Sequence, residues 1–572
     1  MKTFLSCLVT VFFSTGTLAQ TITWSPDLVK PKETEVNSLL TFPGTDENNY
    51  YVDESVFGTE TIRRKWKDFI KTVDKKTLQV TKETDLSGEV AEDGKKYFNV
   101  NNFINQNSSY NFFIDMNDKE IYTVYATVKK ISDPKTPAVK AIQKVDITYE
   151  KIFKNAASII KHKDSKESAA LKAASHVDIK PAYDGKSIIS AFIYQTIDDD
   201  YSMLNISEWD EDLKATISNN YKIPFKAYAK KDKRIFGSAS DAIGINPSVG
   251  NFIKDNNGFV YVIINSSIPA NEEAGMISWV YQFKLSDAAY VKTYQNEIAK
   301  KKKPEALTMF QNQSGKIFIS ATSIESSDED SYFINRAYIA SFNAAGQLQP
   351  IFNKKLGTDM LYNFGKKEDI DKNDGVSGLT VINILPSADG GCFVVWEEQY
   401  TNSKESEAND GVSGQRKSET HFGNYTILIQ YFNSANKMLW QKPVYKRQIR
   451  TAILPDIYSK VATFVLNDAV YLFYPDDPKN ADKALDDKEV SVYNVTKFAS
   501  KDLAGMFVAK VDIKGTYTHK YINWPEDKIG FALCTNSFRL TGNGECIGAA
   551  RKIRRAGLFV KSEEYTFFKL KF

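Results

Sequence analysis

The sequence predicts an all-β chain made of one four-stranded antiparallel unit repeated around a closed architecture, and three observations carry that expectation. Aromatic residues reach 13% of the 572 residues, with 30 Tyr and 36 Phe, and β-branched side chains are frequent; both suit pleated, half-buried strands better than helices. Two kinds of short polar turn alternate along the chain. The length itself exceeds one ordinary compact core, so the chain must be several domains or one large repeat.

In chain order, residues 1–19 read as an export signal: Lys2 is the charged start, Phe4 to Phe13 the apolar stretch, and Thr17-Leu18-Ala19 a small-residue cleavage site. The expected mature domain is residues 20–572. Cys7 lies inside the apolar stretch, whereas a lipidated cysteine would end it, so a lipid anchor is not expected. No later window approaches the ~18 apolar residues of a spanning helix. The expected location is secreted or periplasmic, with no membrane span.

The first kind of turn joins two apolar strands through Gly, Asn or Asp. Asn251-Phe252-Ile253-Lys254 leads through Asp255-Asn256-Asn257-Gly258 into Phe259-Val260-Tyr261-Val262-Ile263, a hairpin signal. It returns at Gly44 to Asn48, Asn117 to Lys119, Tyr183 to Gly185, Ser314-Gly315, Asp389 to Gly391, Asn467-Asp468 and Thr541 to Gly544, roughly every 60 to 80 residues. The second kind sets a polar turn between apolar residues: Val73 to Leu78, Trp209 to Leu213, Phe342 to Leu348, Phe432 to Leu439 and Val511 to Gly515. Each unit therefore reads as strand a, tight turn, strand b, variable loop, strand c, tight turn, strand d. Units start near Val36, Tyr97, Ala173, Asp241, Glu305, Gly378, Tyr458 and Phe531.

One four-stranded sheet cannot cover both of its faces, so such units must stack, and radial stacking gives a β-propeller. Eight blades are expected; seven stays open because the first two copies are the least regular, and two β-sandwich domains are the alternative. The eighth copy stops after strand c at Tyr565 to Phe572, while Thr21-Ile22-Thr23-Trp24-Ser25-Pro26 matches the strand d pattern of Tyr521-Ile522-Asn523-Trp524-Pro525. An N-terminal strand completing the last blade would hide an open sheet edge. These turn segments resemble those of secreted bacterial β-propeller repeat proteins over nearly the whole mature chain, which implies an architecture and no particular site.

Chemistry is less legible. Lys plus Arg total 74 against 71 Asp plus Glu, a net charge of +3, so no single-sign field points to nucleic acid. His162, His176, His421 and His519 show no ligand spacing, and no nucleophile elbow or phosphate loop occurs. Ser387-Ala388-Asp389-Gly390-Gly391-Cys392-Phe393 partly resembles the Asp-box turn of sialidase-type propellers, itself a fold-stabilising turn. No cofactor is expected beyond a calcium ion at Asp369-Ile370-Asp371-Lys372-Asn373-Asp374-Gly375, whose alternate oxygens resemble a calcium loop but whose Gly falls one position late. With the last hairpin turning at Thr541 to Gly544, Cys546 faces Arg539, which puts Cys534 roughly 17 Å away, beyond disulfide range.

Loop charge is the most suggestive pattern. The b-to-c loops of copies three, four and five carry Asp198, Asp199 and Asp200, then Glu272 and Glu273, then Asp328, Glu329 and Asp330. The loops after strand d nearby are basic, with Lys161, Lys163 and Lys166, then Lys230, Lys231, Lys233 and Arg234, then Lys300 to Lys303. Both loop types emerge on one face of a propeller, and the longest inserts, Thr401 to Thr420 and Pro475 to Asp502, fall in b-to-c loops. Asn-Asp-Gly-Val-Ser-Gly occurs twice, at Asn373 to Gly378 before strand a of copy six and at Asn409 to Gly414 between its strands b and c. The expected function is an exported, monomeric scaffold binding a protein or carbohydrate ligand at this loop face, through the eight acidic residues just named. A propeller hydrolase or lyase acting on a polysaccharide or lactone through mouth carboxylates is the alternative, although no catalytic pair is picked out.

Overall fold

A computed structural model describes residues 21–30, 39–57, 66–85, 98–105, 108–116, 121–130, 140–148, 177–182, 185–195, 202–223, 248–267, 276–294, 304–311, 315–324, 333–409, 416–451, 460–494, 505–541, 544–556 and 559–572. Their strands form eight sheets, antiparallel apart from one short parallel pair at the edge of the sixth. The first strands begin at Leu39, Phe98, Val177, Ser248, Pro304, Leu379, Ala462 and Phe531, close to the repeat starts read from sequence. These innermost strands neighbour one another around a ring, so the chain is an eight-bladed β-propeller. Seven blades and two sandwiches are both set aside.

Each sheet is buried on both faces, which is why its central strands read as continuous apolar runs. Along strand b of blade 6 (Cys392–Asn409), Val394 and Trp396 pack with Phe318 and Ile339 of blade 5. The alternate residues Phe393 and Val395 pack with Val470 and Leu472 of blade 7. A strand's side chains point alternately to opposite faces, so one run fills two seams.

The tight turns are held by one repeated device. In the c-to-d turns an Asp or Asn side chain accepts two amides ahead of it: Asp210 from Asp212 and Lys214 at 3.0 and 2.8 Å, Asn343 from Ala345 and Gln347 at 3.0 and 2.9 Å, Asp512 from Lys514 and Thr516 at 2.9 Å each. The residue between the two donors sits at positive φ, as Leu213 (59°), Gly346 (72°) and Gly515 (78°). Leu213 holds that strained position while buried, where Gly or Asn is the usual occupant. At the a-to-b turn of blade 6, Asp389 accepts the Gly391 amide at 2.9 Å and the Tyr431 hydroxyl, so the Asp-box-like segment is a structural turn.

Blade 2 corrects the repeat reading. Its first two strands are Phe98–Asn105 and Ser108–Met116, so the segment Asn117 to Lys119 follows strand b instead of joining strands a and b.

The termini close the ring as expected. Strand Thr21–Trp24 pairs antiparallel with Phe559–Lys571, Trp24 opposite Phe568, giving the last sheet its fourth strand. The Trp24 ring lies 4.9 Å from Trp524 and 5.1 Å from Phe568. Between blades 8 and 1, fully buried Glu54 takes Lys71 Nζ at 3.0 Å and the Tyr565 hydroxyl at 3.0 Å. Cys392, Cys534 and Cys546 are free and buried. Leu540, not Arg539, faces Cys546, and a bulge between Cys534 and Arg539 puts Cys534 opposite Ala549. The cysteines are thus three residues apart in register, roughly 10 Å, still beyond a disulfide.

Blades 5 to 7 carry additional structure at the rim. Helices α1 (Thr358–Leu361) and α2 (Lys367–Asn373) join blade 5 to blade 6 and bury Met360, Leu361 and Ile370 in the seam between them.

Candidate functional site

Asp198, Asp199, Asp200, Glu272, Glu273, Asp328, Glu329 and Asp330 lie outside the described residues. The strands flanking their segments end at Gln195, Ser267 and Ser323 and resume at Ser202, Met276 and Arg336, which are strands b and c of blades 3, 4 and 5.

The calcium-like segment is not a loop. Residues Lys367–Asn373 are helix α2, and Asp374 caps it in the left-handed conformation. At about 100° per residue, Asp369 and Asp371 point to opposite sides, so their oxygens do not converge on one cation. Asp371 accepts the Tyr362 hydroxyl at 2.7 Å. Among the described residues no group of three His, Cys, Asp or Glu side chains is placed to hold a metal ion.

The two long inserts behave differently. Residues 475–494 fold back as a strap along strand d of blade 6 (Met438–Val444). The Leu485 carbonyl accepts the Tyr445 amide at 2.9 Å, the Tyr493 amide donates to the Arg447 carbonyl at 2.8 Å, and Lys488 donates to the Tyr362 carbonyl at 2.8 Å. Tyr493–Asn494 then pairs in parallel with strand Gln448–Thr451. In its described part, residues 475–494, this insert braces the rim. The other insert lengthens strand b of blade 6 and its partner, strand c (Arg416–Phe432), into a hairpin registered out to Asn409 opposite Arg416. Strand a of blade 6 (Leu379–Pro386) begins opposite Glu398, so the hairpin projects about nine residues, roughly 30 Å, beyond the inner strand.

At the root of this hairpin the ladder slips: Glu397 faces Ile427, but Gln399 faces Asn424. Tyr425 and Thr426 of strand c together face the single residue Glu398 of strand b, a bulge on strand c, and bulges re-aim side chains. Gly378 lets the chain entering strand a lie close against strand b here, since a Cβ there would stand 1.8 Å from the Gln399 carbonyl oxygen. The two faces of the root then differ.

On the blade 7 side lies a buried ionic node. Lys446 Nζ, 2% exposed as a residue, meets Glu397 Oε1 at 2.9 Å and donates to the Asn424 carbonyl at 3.0 Å and Gln448 Oε1 at 2.9 Å. Glu397 Oε2 accepts Gln399 Nε2 at 3.0 Å and Asn424 Nδ2 at 3.1 Å. Gln448 in turn donates to the Pro475 carbonyl, tying the node to the strap. Beside it Asp476, 2% exposed, accepts the Asp477 amide at 2.8 Å, and burial pushes its carboxyl up to about 7.

On the blade 5 side stand Glu398 and Tyr400 from strand b, Gly423 and Tyr425 from strand c, and Arg447 just before strand Gln448–Thr451. The tyrosine rings are stacked, 5.5 Å between centroids and 27° between planes. They close over Gly423, where a Cβ would lie 2.7 Å from Tyr400 and 2.9 Å from Tyr425. The Arg447 guanidinium lies 5.5 Å from the Tyr425 centroid on an exposed residue. Withdrawal of the Glu398 carboxyl from water pushes it up to about 8, against the pull of Lys446 and Arg447. Both tyrosines are half-buried.

Sequence reading missed this group. The legible signal was the pair Glu397-Glu398 directly after the apolar run Phe393 to Trp396, two acids where a buried strand was still expected to continue.

No family model matches the chain, and no curated protein matches it. Among solved structures it is similar to the β-propeller domain of the Trilobed protease from Pyrococcus furiosus, at 9% identity over 76% of this chain and 89% of that one, with a TM-score of 0.31. It is also similar to the WD40 domain of SCAP from fission yeast, at 7% identity over 96% of this chain and 98% of that one, with a TM-score of 0.35. A third is Porphyromonas gingivalis dipeptidyl peptidase 4, at 9% identity over 93% of this chain, which spans 60% of that protein, with a TM-score of 0.38.

Proposed function

We propose that this propeller is an exported binding scaffold whose loop face, formed by the b-to-c and d-to-a connections, holds a protein or carbohydrate ligand. The observation that carries the reading is the asymmetry of the two ends. One end is closed by short turns whose Asp and Asn side chains are consumed by backbone amides, leaving few groups to recognise anything. The other end bears the projecting hairpin and the exposed Arg447. Rigid blades presenting variable loops at one end are a general means of recognition, and recognition needs no reaction centre. The eight acidic residues named from sequence remain part of this proposal, as contributors of charge at the face.

The test compares a photo-crosslinking amino acid at one position on each end. With the probe at Ser403 of the hairpin, irradiation of the producing cells should yield crosslinked species. With the probe at Ala435 in a tight c-to-d turn, it should yield none above background. Equal yields from both ends, or crosslinks from Ala435 alone, would remove the reading.

A further inference from the structure

We propose that the blade 6 surface formed by Glu398, Tyr400, Tyr425 and Arg447 is a carbohydrate-binding site, taking a pyranose ring flat on the tyrosine pair with its hydroxyls between the carboxyl and the guanidinium. This rests on the reading of the loop face as a binding face and names the ligand class.

The geometry points to a sugar for three reasons. First, the two rings are pre-stacked at 27° on paired strands, so an aromatic platform exists without any ordering step on binding. A pyranose offers a matching apolar face of C–H groups, and tyrosine combines a large apolar body with a polar tip. Second, the platform is fitted by its glycine. With 2.7 and 2.9 Å between a hypothetical Gly423 Cβ and the rings, any other residue would displace them, so the glycine lets the stacked pair pack down onto the backbone. Third, polar groups of both kinds flank the rings on the same sheet face. Arg447 presents a fork of donors, and Glu398, held largely neutral at pH 7 by its withdrawal from water, accepts from the Thr426 amide and side chain and keeps an acid proton to donate. Vicinal hydroxyls, each donor and acceptor, are complemented by such a pair. A protein partner would instead call for a deep apolar pocket around a central anchor, and the root of the hairpin offers half-buried rings edged by charge.

The test is titration calorimetry of the full chain with cellohexaose, chitohexaose and a galacturonate hexamer. Binding of at least one is expected, weakened about tenfold or more in Y400A/Y425A, as the loss of a stacked aromatic contact implies. R447M, at an exposed position, should also weaken it, and Y400F/Y425F should retain it. Should Y400A/Y425A fail to fold, R447M and G423A carry the test, since G423A displaces the rings without removing them. Binding by the parent that survives both R447M and G423A unchanged overturns the assignment, as does a parent that binds none of the three. In the latter case, crosslinking from Ser403 alone would mean that the face binds something other than a sugar; its absence as well would remove both readings.

Discussion

Replacing Lys446 by Met should destabilise the propeller by roughly 3 to 5 kcal/mol, the cost of stranding one member of a buried ion pair. The ammonium has three N–H donors and meets three oxygens, on Glu397, Asn424 and Gln448, at 2.9, 3.0 and 2.9 Å. Methionine fills a similar volume, so packing loss alone would be small. What remains is Glu397, 1% exposed, with only the neutral amides of Gln399 and Asn424 on its other oxygen. The assay is urea denaturation at pH 7 for the parent, K446M, E397Q and K446M/E397Q. The double variant should recover to within about 1 kcal/mol of the parent, because two neutral groups of similar shape can replace a buried pair. Destabilisation of K446M below about 1 kcal/mol, or a double variant no better than K446M alone, would refute the claim that the node is electrostatically closed.

Two further outcomes follow from the same structure. Asp476→Asn should be neutral near pH 4 and stabilising by about 2 to 4 kcal/mol at pH 8. The folded carboxyl is raised to about 7, so the native state holds its proton longer than the unfolded chain, and the parent loses stability as pH rises through about 4 to 7; Asn keeps the acceptor for the Asp477 amide without that loss. Equal effects at both pH values would contradict it. Deleting Thr21 to Pro26 removes the fourth strand of blade 8 and the Trp24 contacts with Trp524 and Phe568, and thermal melts should fall well below the parent; an unchanged melting temperature would show that the ring does not depend on its terminal strand.

How far the fold could be read from sequence depended on whether the deciding physics was local. The c-to-d turns were legible because an Asp or Asn followed by a positive-φ residue is a short-range signature, and the structure makes the same bonds at Asp210, Asn343 and Asp512. Ring closure was legible because Trp24 and Trp524 occupy matching strand d patterns, and their rings meet across the seam. Blade 2 was misregistered because Asn is also frequent within its strands, as at Asn99, Asn101, Asn102 and Asn111, so turn composition alone could not choose. The bulge before Arg539 was likewise invisible, since it is set by Ser537, whose hydroxyl accepts the Ala549 amide at 2.8 Å from the neighbouring strand.

The two inserts show what a loop length leaves out. Both are long, polar on average and placed between strands b and c, and from length alone both would elaborate the same face. Their difference lies in a few anchors. The strap carries Leu485 and Tyr493, 4% and 3% exposed, and Asn480, whose amide side chain bridges to Ser491 in both directions at 3.1 and 2.7 Å. These give it apolar surface to bury and an internal fold, and the nearest surface able to receive them is the flank of blade 6. Residues Thr401 to Thr420 include only Ala408 and Val412 as aliphatic residues, so little draws them onto the body, and the described backbone of Thr401 to Asn409 pairs with that of Arg416 to Phe422. The hairpin therefore stands away from the ring. Its root is then a place on the face, among the described residues, where a rigid sheet, two aromatic rings, a carboxyl and a guanidinium meet, while the strap holds the Arg447 backbone, whose carbonyl accepts the Tyr493 amide at 2.8 Å.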